Sequence, residues 1–400
     1  MSKVRVSGGG RCNVTHACFD VREFSESYPR GGQALIGPLH RFQARDTVSW
    51  FAAHGVELKA EADGRMFPIT DSSQTVVDCL VRAASTAGVR FRTGSGVESL
   101  RPCEPRAGEV TASVDSPDGE NEGCDRETGA SDNPLPLGTM NLSAFPSPGY
   151  GYATLSPSEG EGDGVRGADA WRGSWKVELT SGEALWADRV LVATGGCRSA
   201  AAGRLVTELG HGLEPPVPSL FTFQVGTTWL RSLAGVSVAD AELSVPGTAL
   251  RERGPLLVTH WGVSGPAVLR LSAWGARSLH GLGYRFPLRI HWLPGRNEDA
   301  IRDAVRGQRG QHPARLVVNG PIPPLPARLW EQLVSAAGIP SRMRWAELPR
   351  SVEHRLVQQL MQTELAVEGK SQHRDEFVTC GGVPLNDVNL RTMERRRCPG

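Results

Sequence analysis

No excess of either charge marks this 400-residue sequence: 44 Lys and Arg stand against 43 Asp and Glu, a net charge of +1. That balance excludes a chain-wide electrostatic pull toward nucleic acid or an anionic membrane surface. Uninterrupted apolar runs of membrane-spanning length are missing. The opening MSKVRVSGGGRCN lacks the apolar stretch of a secretory signal. Aromatic residues make up only 6% and the apolar total is 39%, so the core is sufficient but lean. The eight cysteines stand singly, never as CxxC, which argues against a zinc site or a dithiol redox centre. They read as free thiols in a reducing compartment. The cytoplasm is the default location, with an organelle as the alternative if the true N-terminus lies upstream.

What the chain has in quantity is glycine (47) and proline (28), so much of it is loop. Its length implies two domains and an irregular segment. Residues 40 to 93 alternate helix and strand. The strongest helix runs from Ser73 to Thr86, with Asp71, Ser72 and Ser73 as N-cap candidates and Val76, Val77, Leu80, Val81 and Ala84 as its apolar stripe. Gly88 stops it, and Val89 to Thr93 alternates as a strand. Residues 103 to 173 hold thirteen Asp or Glu against four Lys or Arg, broken by Gly, Pro and Ser. Such a segment reads as a disordered insertion, with some order near Phe145 to Leu155. Its flanks, Val97 to Leu100 and Trp175 to Leu179, suit strands that pair across it.

Arg189 to Thr194 is a continuous apolar run of the kind that forms a parallel strand buried on both faces. From Leu220 to Trp292 short strands separated by Gly and Pro predict a small barrel or sandwich: Phe221 to Val225, Ala241 to Val245, Leu256 to Thr259 and Phe286 to Trp292. Helical spacing returns over 326 to 366.

Four glycine-bearing features carry candidate chemistry. In Ser7-Gly8-Gly9-Gly10-Arg11-Cys12-Asn13 the glycines let a ligand approach the backbone, Arg11 offers forked donors suited to phosphate, and Asn13 offers an amide. The plain alternative is a flexible glycine loop. Ala193-Thr194-Gly195-Gly196 would let a planar cofactor lie on the backbone, or simply make a strand-to-helix turn. His260, in the run Leu256 to Pro266, is the candidate acid or base, against a buried histidine that holds a turn. Gly381-Gly382 ends a further strand, and either lines a cofactor or turns the chain. A formal GxGxxG match at Gly162 to Gly167 is rejected: it has no strand before it and no helix after it, and Glu159, Glu161 and Asp163 would repel a pyrophosphate.

The order of these features resembles the BaiN/RdsA-type NAD(P)/FAD-dependent oxidoreductases, the aminoacetone-oxidase-like flavoproteins. The resemblance is carried by SGGGRCNVTH (7–16), GRMFPITD (64–71), the Val89 to Leu100 region, VLVATGG (190–196), PPVPSL (215–220), LLVTHWGVSGPAVLRLS (256–272) and FVTCGGVPLNDVNLRTME (377–394). It implies an α/β fold, a partial glutathione-reductase-type FAD-binding domain with an inserted β-barrel-like and helical domain. The flavin domain would comprise 1–102, 174–198 and 373–400, interrupted by the 103–173 insertion and by the inserted domain at 199–372. The resemblance also implies that Gly8 to Asn13 lie along the FAD and Val97 meets the adenine through its backbone. Ala193 to Gly196 would pack near the cofactor, and His260 to Pro266 would approach the isoalloxazine side.

The family pattern begins with a strand–GxGxxG–helix unit and ends in another flavin-contacting strand. Both fall outside this sequence, which is therefore expected to be truncated at both ends. The expected function is hydride transfer between a reduced nicotinamide and an organic substrate or oxygen through FAD. The rival is a non-catalytic remnant that keeps the fold without the cofactor. The expected partner is a small-molecule substrate, with no nucleic acid and no membrane.

Overall fold

The computed structural model describes residues 2–103, 175–196, 200–370 and 378–396. The acidic insertion, its formal GxGxxG match and the Phe145 to Leu155 stretch lie outside the described residues. The chain divides into two compact units, one of residues 1–83 and 194–399, the other of residues 84–193. No described helix is long and apolar enough to cross a membrane.

The first unit contains a closed six-stranded barrel. In order around the wall the strands are Arg251–Val258, Gly262–Ser264, Phe223–Val225, Thr363–Lys370, Phe286–His291 and Ser237–Ser244, which pairs back to the first. Every pairing is antiparallel. Alternation explains the wall: Val238, Ala241 and Leu243 point inward from one strand, Leu288 and Ile290 from another, and Leu365 and Val367 from a third. The barrel predicted from 220 to 292 is thus present, but one strand comes from far downstream. Thr363–Lys370 continues directly from the helix Arg350–Gln362, whereas helical spacing was expected to reach residue 366. Its Glu and Ala residues suit a helix, yet burial alternates strictly through Thr363, Leu365 and Val367, and that period of two wins once the neighbouring strands are in place.

Helices Glu298–Gln311, Ala327–Ala336 and Arg350–Gln362 share the barrel's apolar core. The first was not anticipated. Asn297 caps it by accepting from the Ala300 N–H at 2.9 Å, and Glu298 and Asp299 occupy its first turn. Its apolar face is only Ile301 and Val305, too thin to announce itself. Two wholly buried indoles are satisfied inside this core: Trp292 Nε1 donates to Thr363 Oγ1 at 2.8 Å and Trp330 Nε1 to the Val317 carbonyl at 2.8 Å.

The N-terminal part of this unit packs short helices on a three-stranded antiparallel sheet ordered Thr15–His16, Arg65–Pro68, Leu58–Ala60. Its small core joins Cys12, Phe51, Val56, Val76 and Cys79. The helix Ser73–Thr86 has the predicted bounds, and Gly88 follows it in the left-handed region.

In the second unit Val97–Pro102 pairs with Trp175–Leu179, as expected from the flanks of the insertion, and Ala184–Ala187 adds a third strand. Two strand expectations are corrected. Residues 89 to 93 and 189 to 194 form no strand, and Leu191 is 83% exposed. An apolar run of that kind becomes a strand only with neighbours on both sides, and no parallel pairing exists among the described strands.

Glu178 sits at the centre of the small sheet, accepting from Lys176 Nζ at 2.7 Å and from Ser99 Oγ at 2.6 Å. Lys176, with the Ser99 hydroxyl second, holds its carboxyl down from the ordinary 4.5 to about 2. A depressed carboxyl stabilises the folded form above its unfolded value. The contribution should therefore be full above pH 4.5 and lost as pH falls through about 2. Titration of the Glu178 carboxyl by carbon-detected NMR should show a midpoint well below the ordinary 4.5. For the barrel, Leu243→Ala should lower unfolding stability by about 3 kcal/mol, read as an earlier denaturant midpoint.

Candidate functional site

Ser7 to Asn13 fold into one tight turn. Gly8 (φ 59°), Gly9 (φ 70°), Gly10 (φ 89°) and Cys12 (φ 63°) all adopt left-handed backbone, and the Cys12 N–H closes the loop on the Ser7 carbonyl at 2.9 Å. Glycine is required here twice over. The conformation disfavours a side chain, and a Cβ on Gly8 would lie 2.7 Å from Phe67 Cε1. Gly9 and Gly10 differ from Gly8 in their surroundings. A Cβ on Gly9 would meet nothing within 4 Å, and one on Gly10 only the Arg5 carbonyl at 4.0 Å. Their backbone faces open space.

The next three residues are each held by the protein, and of them Cys12 alone is buried. The Arg11 guanidinium lies over the Phe67 ring, 4.0 Å from its centroid, and pairs with Glu61 and with Asp71, the latter at 3.6 Å. Lys59 first, then Arg11, holds the Asp71 carboxyl below the usual range, while Glu61 raises the Arg11 guanidinium above its own. Cys12 is buried among Phe51, Val56, Val76 and Cys79, and burial pushes its thiol up. It is a protonated core residue. The Asn13 amide nitrogen, in the orientation that satisfies it, donates to the Thr15 carbonyl at 2.9 Å and the Met66 carbonyl at 3.3 Å.

The string GRMFPITD therefore acts as the seat of SGGGRCN. Met66, Phe67 and Asp71 from the one hold Arg11 and Asn13 of the other. Phe67, Glu61 and Asp71 are the site residues that the sequence reading did not single out, although the GRMFPITD match contained two of them. His16 serves the same seat: its Nδ1 accepts from the Cys18 N–H at 3.1 Å, so the other nitrogen bears the proton and donates to the Asp63 carbonyl at 3.0 Å.

A second assembly gathers the remaining glycine strings. Gly196 abuts Thr379, such that a Cβ on it would lie 2.3 Å from Thr379 Oγ1. Thr379 belongs to Val378–Gly382, which pairs with Glu214–Ser219 of the PPVPSL string. Gly381 and Gly382 are the last two residues of this strand, as expected. Gly195 (φ 77°) and Gly382 (φ 119°) both have open space beside them. Downstream, Asp387 accepts from the Gly212 N–H at 3.0 Å, and Arg41 donates to the Leu390 carbonyl at 2.8 Å. Arg30 donates to the Ala273 carbonyl at 3.0 Å, at the end of the helix Pro266–Trp274 that His260 to Gly265 lead into.

His260 is exposed in the turn that the Thr259 N–H closes on the Gly262 carbonyl at 2.8 Å. It is not the buried histidine of the plain alternative. Val97 and Ala193 belong to the second unit, where Val97 pairs with Leu179. Ala193 and Thr194 end no strand, which corrects that expectation.

The residues present fit part of a flavin nucleotide. Left-handed glycines with open backbone make a surface that a planar or phosphate-bearing group can approach closely, and a Cβ would fill it. Arg11 does not fit the phosphate role, because its charge is already met by two carboxylates.

A mixed α/β domain joined to a closed barrel with helices is the class this fold defines. The HI0933-like protein Rossmann domain model matches residues 1–119, and the HI0933-like protein barrel and H2TH domain model matches residues 217–378. The chain belongs to the HI0933-like family, the BaiN/RdsA-type FAD-dependent oxidoreductases. It is 27% identical over 401 residues to the ribosomal RNA dihydrouridine synthase of Escherichia coli, covering 100% of this chain and 80% of that protein. It is 22% identical over 406 residues to the 3-dehydro-bile acid delta(4,6)-reductase of Clostridium scindens, covering 100% and 81%. The Haemophilus influenzae ribosomal RNA dihydrouridine synthase matches at 26% over 219 residues, 53% of this chain and 51% of that protein.

The contact of Gly196 with Thr379 is directly testable. Gly196→Ala should destabilise the first unit by about 1–3 kcal/mol through overpacking, and adding Thr379→Gly should recover most of the loss, measured by denaturant unfolding.

Proposed function

We propose that this protein is an FAD-dependent reductase that passes hydride from a reduced nicotinamide to an unsaturated organic substrate. The single observation that carries the reading is the Gly8–Gly10 turn, seated on Phe67 and open along Gly9 and Gly10. The relatives supply the direction of the chemistry. One is named for forming dihydrouridine and the other for reducing a bile acid, so both names describe reductions.

In this reading Gly9 and Gly10 hold the nucleotide through their backbone, with Gly195 and Gly382 offering a second close approach while Gly196 and Gly381 pack against the protein. When bound, the flavin supplies the two-electron hydride chemistry. The chain's part is to bind and orient it. His260, exposed at its turn, is the candidate proton donor to substrate. The glutathione-reductase-type arrangement of the flavin domain belongs to the same proposal, as do a small-molecule substrate and a cytoplasmic setting. The near-neutral net charge supports a small substrate over a polynucleotide.

Reconstitution tests this directly. The purified full chain titrated with FAD should quench flavin fluorescence saturably and then oxidise NADH or NADPH when an enone substrate is supplied. A chain that stays colourless and leaves flavin fluorescence unchanged would instead be the non-catalytic remnant. Gly9→Ala puts a Cβ into open space at left-handed φ, so it should cost only about 1 kcal/mol of stability yet weaken FAD binding markedly. If thermal unfolding and FAD affinity fall in proportion, Gly9 is structural only.

A further inference from the structure

We infer that Arg11 is a positioning residue: clamped between Glu61, Asp71 and the Phe67 ring, it fixes the turn that presents Gly9 and Gly10, and it does not contact the cofactor's phosphates. The inference rests on the flavin reading above.

Three observations lead there. The first is geometric. The Phe67 ring takes the Arg11 guanidinium over its face at 4.0 Å, and the same ring comes within 2.7 Å of where a Gly8 Cβ would stand. Arg11 and Gly8 are therefore held to one side chain, and moving Arg11 moves the support under the turn.

The second is electrostatic. Arg11, Lys59 and Arg65 form one surface network with Glu61, Asp63 and Asp71. Three cations meet three carboxylates, so no positive surplus remains for a pyrophosphate. A phosphate approaching Arg11 would face two carboxylates already on its guanidinium.

The third is conformational. Four of the five residues from Gly8 to Cys12 are left-handed, an arrangement that a free chain does not keep. Something must over-determine it. The flanking residues do: Cys12 is buried in the core, Asn13 bonds to the Thr15 and Met66 carbonyls, and Arg11 supplies the remaining hold.

The two roles for Arg11 predict opposite signs. A phosphate ligand would be freed by removing its competing carboxylates, and FAD would bind more tightly. A positioning residue would lose its clamp, and FAD would bind more weakly. The experiment uses the full chain carrying Glu61→Gln with Asp71→Asn, which leaves the Arg11 charge intact. FAD affinity is read by fluorescence quenching, and hydrogen exchange of the amides of residues 8–14 is read without flavin. The expected result is FAD binding weakened about fivefold and faster exchange confined to that turn. An unchanged or tighter FAD dissociation constant overturns the inference, as does unchanged exchange. If the double variant does not fold, Glu61→Gln alone carries both readouts with the same signs. A wild-type chain that binds no FAD defeats the flavin reading, and the exchange measurement then decides the role of Arg11 by itself.

Discussion

Closure of the barrel is the constraint on which the larger unit depends. A sheet of short strands leaves unpaired edges unless it meets itself, and here the meeting requires a strand from far downstream in the chain. Thr363–Lys370 fits between Phe223–Val225 and Phe286–His291 and completes the wall. The helices from Glu298 to Gln362 lie within the same stretch of chain, so closure also draws them onto the core. Trp292 reports this arrangement: its ring is wholly buried and its N–H donates to Thr363, the first residue of the closing strand. Barrel and helices therefore share one apolar cluster.

Local patterns were legible in the sequence where one segment's own period decided its structure. The helix Ser73–Thr86 needs only its stripe and its cap. The pair Val97–Pro102 with Trp175–Leu179 needs only complementary alternation on two flanks. Thr363–Lys370 was not legible in this way, because Glu and Ala are good helix formers and the alternation acts only when neighbouring strands stand on both sides. The runs at 89 to 93 and 189 to 194 show the converse. The first alternates and the second is continuously apolar, as strands are, but neither pattern provides a partner, and the described strands pair only antiparallel.

The candidate site was legible as a set of strings and illegible as a set of roles. Glycine at residues 8 to 10 signals a special backbone, and the left-handed angles bear that out. Which of these glycines stays open depends on Phe67, far away in sequence, and no local pattern encodes that contact. The same holds for Gly196 and Thr379. Both lie in strings that resemble the family, yet only the fold reveals that one glycine is small because the other string's threonine sits against it.

An arginine beside three glycines invites a phosphate role because a guanidinium is a strong, forked donor. The surroundings of Arg11 oppose that role. A charge attracts a distant anion only to the extent that nearer opposite charges leave it uncompensated, and Arg11 has Glu61 and Asp71 as nearer partners. Gly9 and Gly10 carry no such competition: their α-carbon faces stand open, so a ligand can come close to the backbone. In this loop the glycines are therefore better suited to the ligand, and the arginine to keeping them in place.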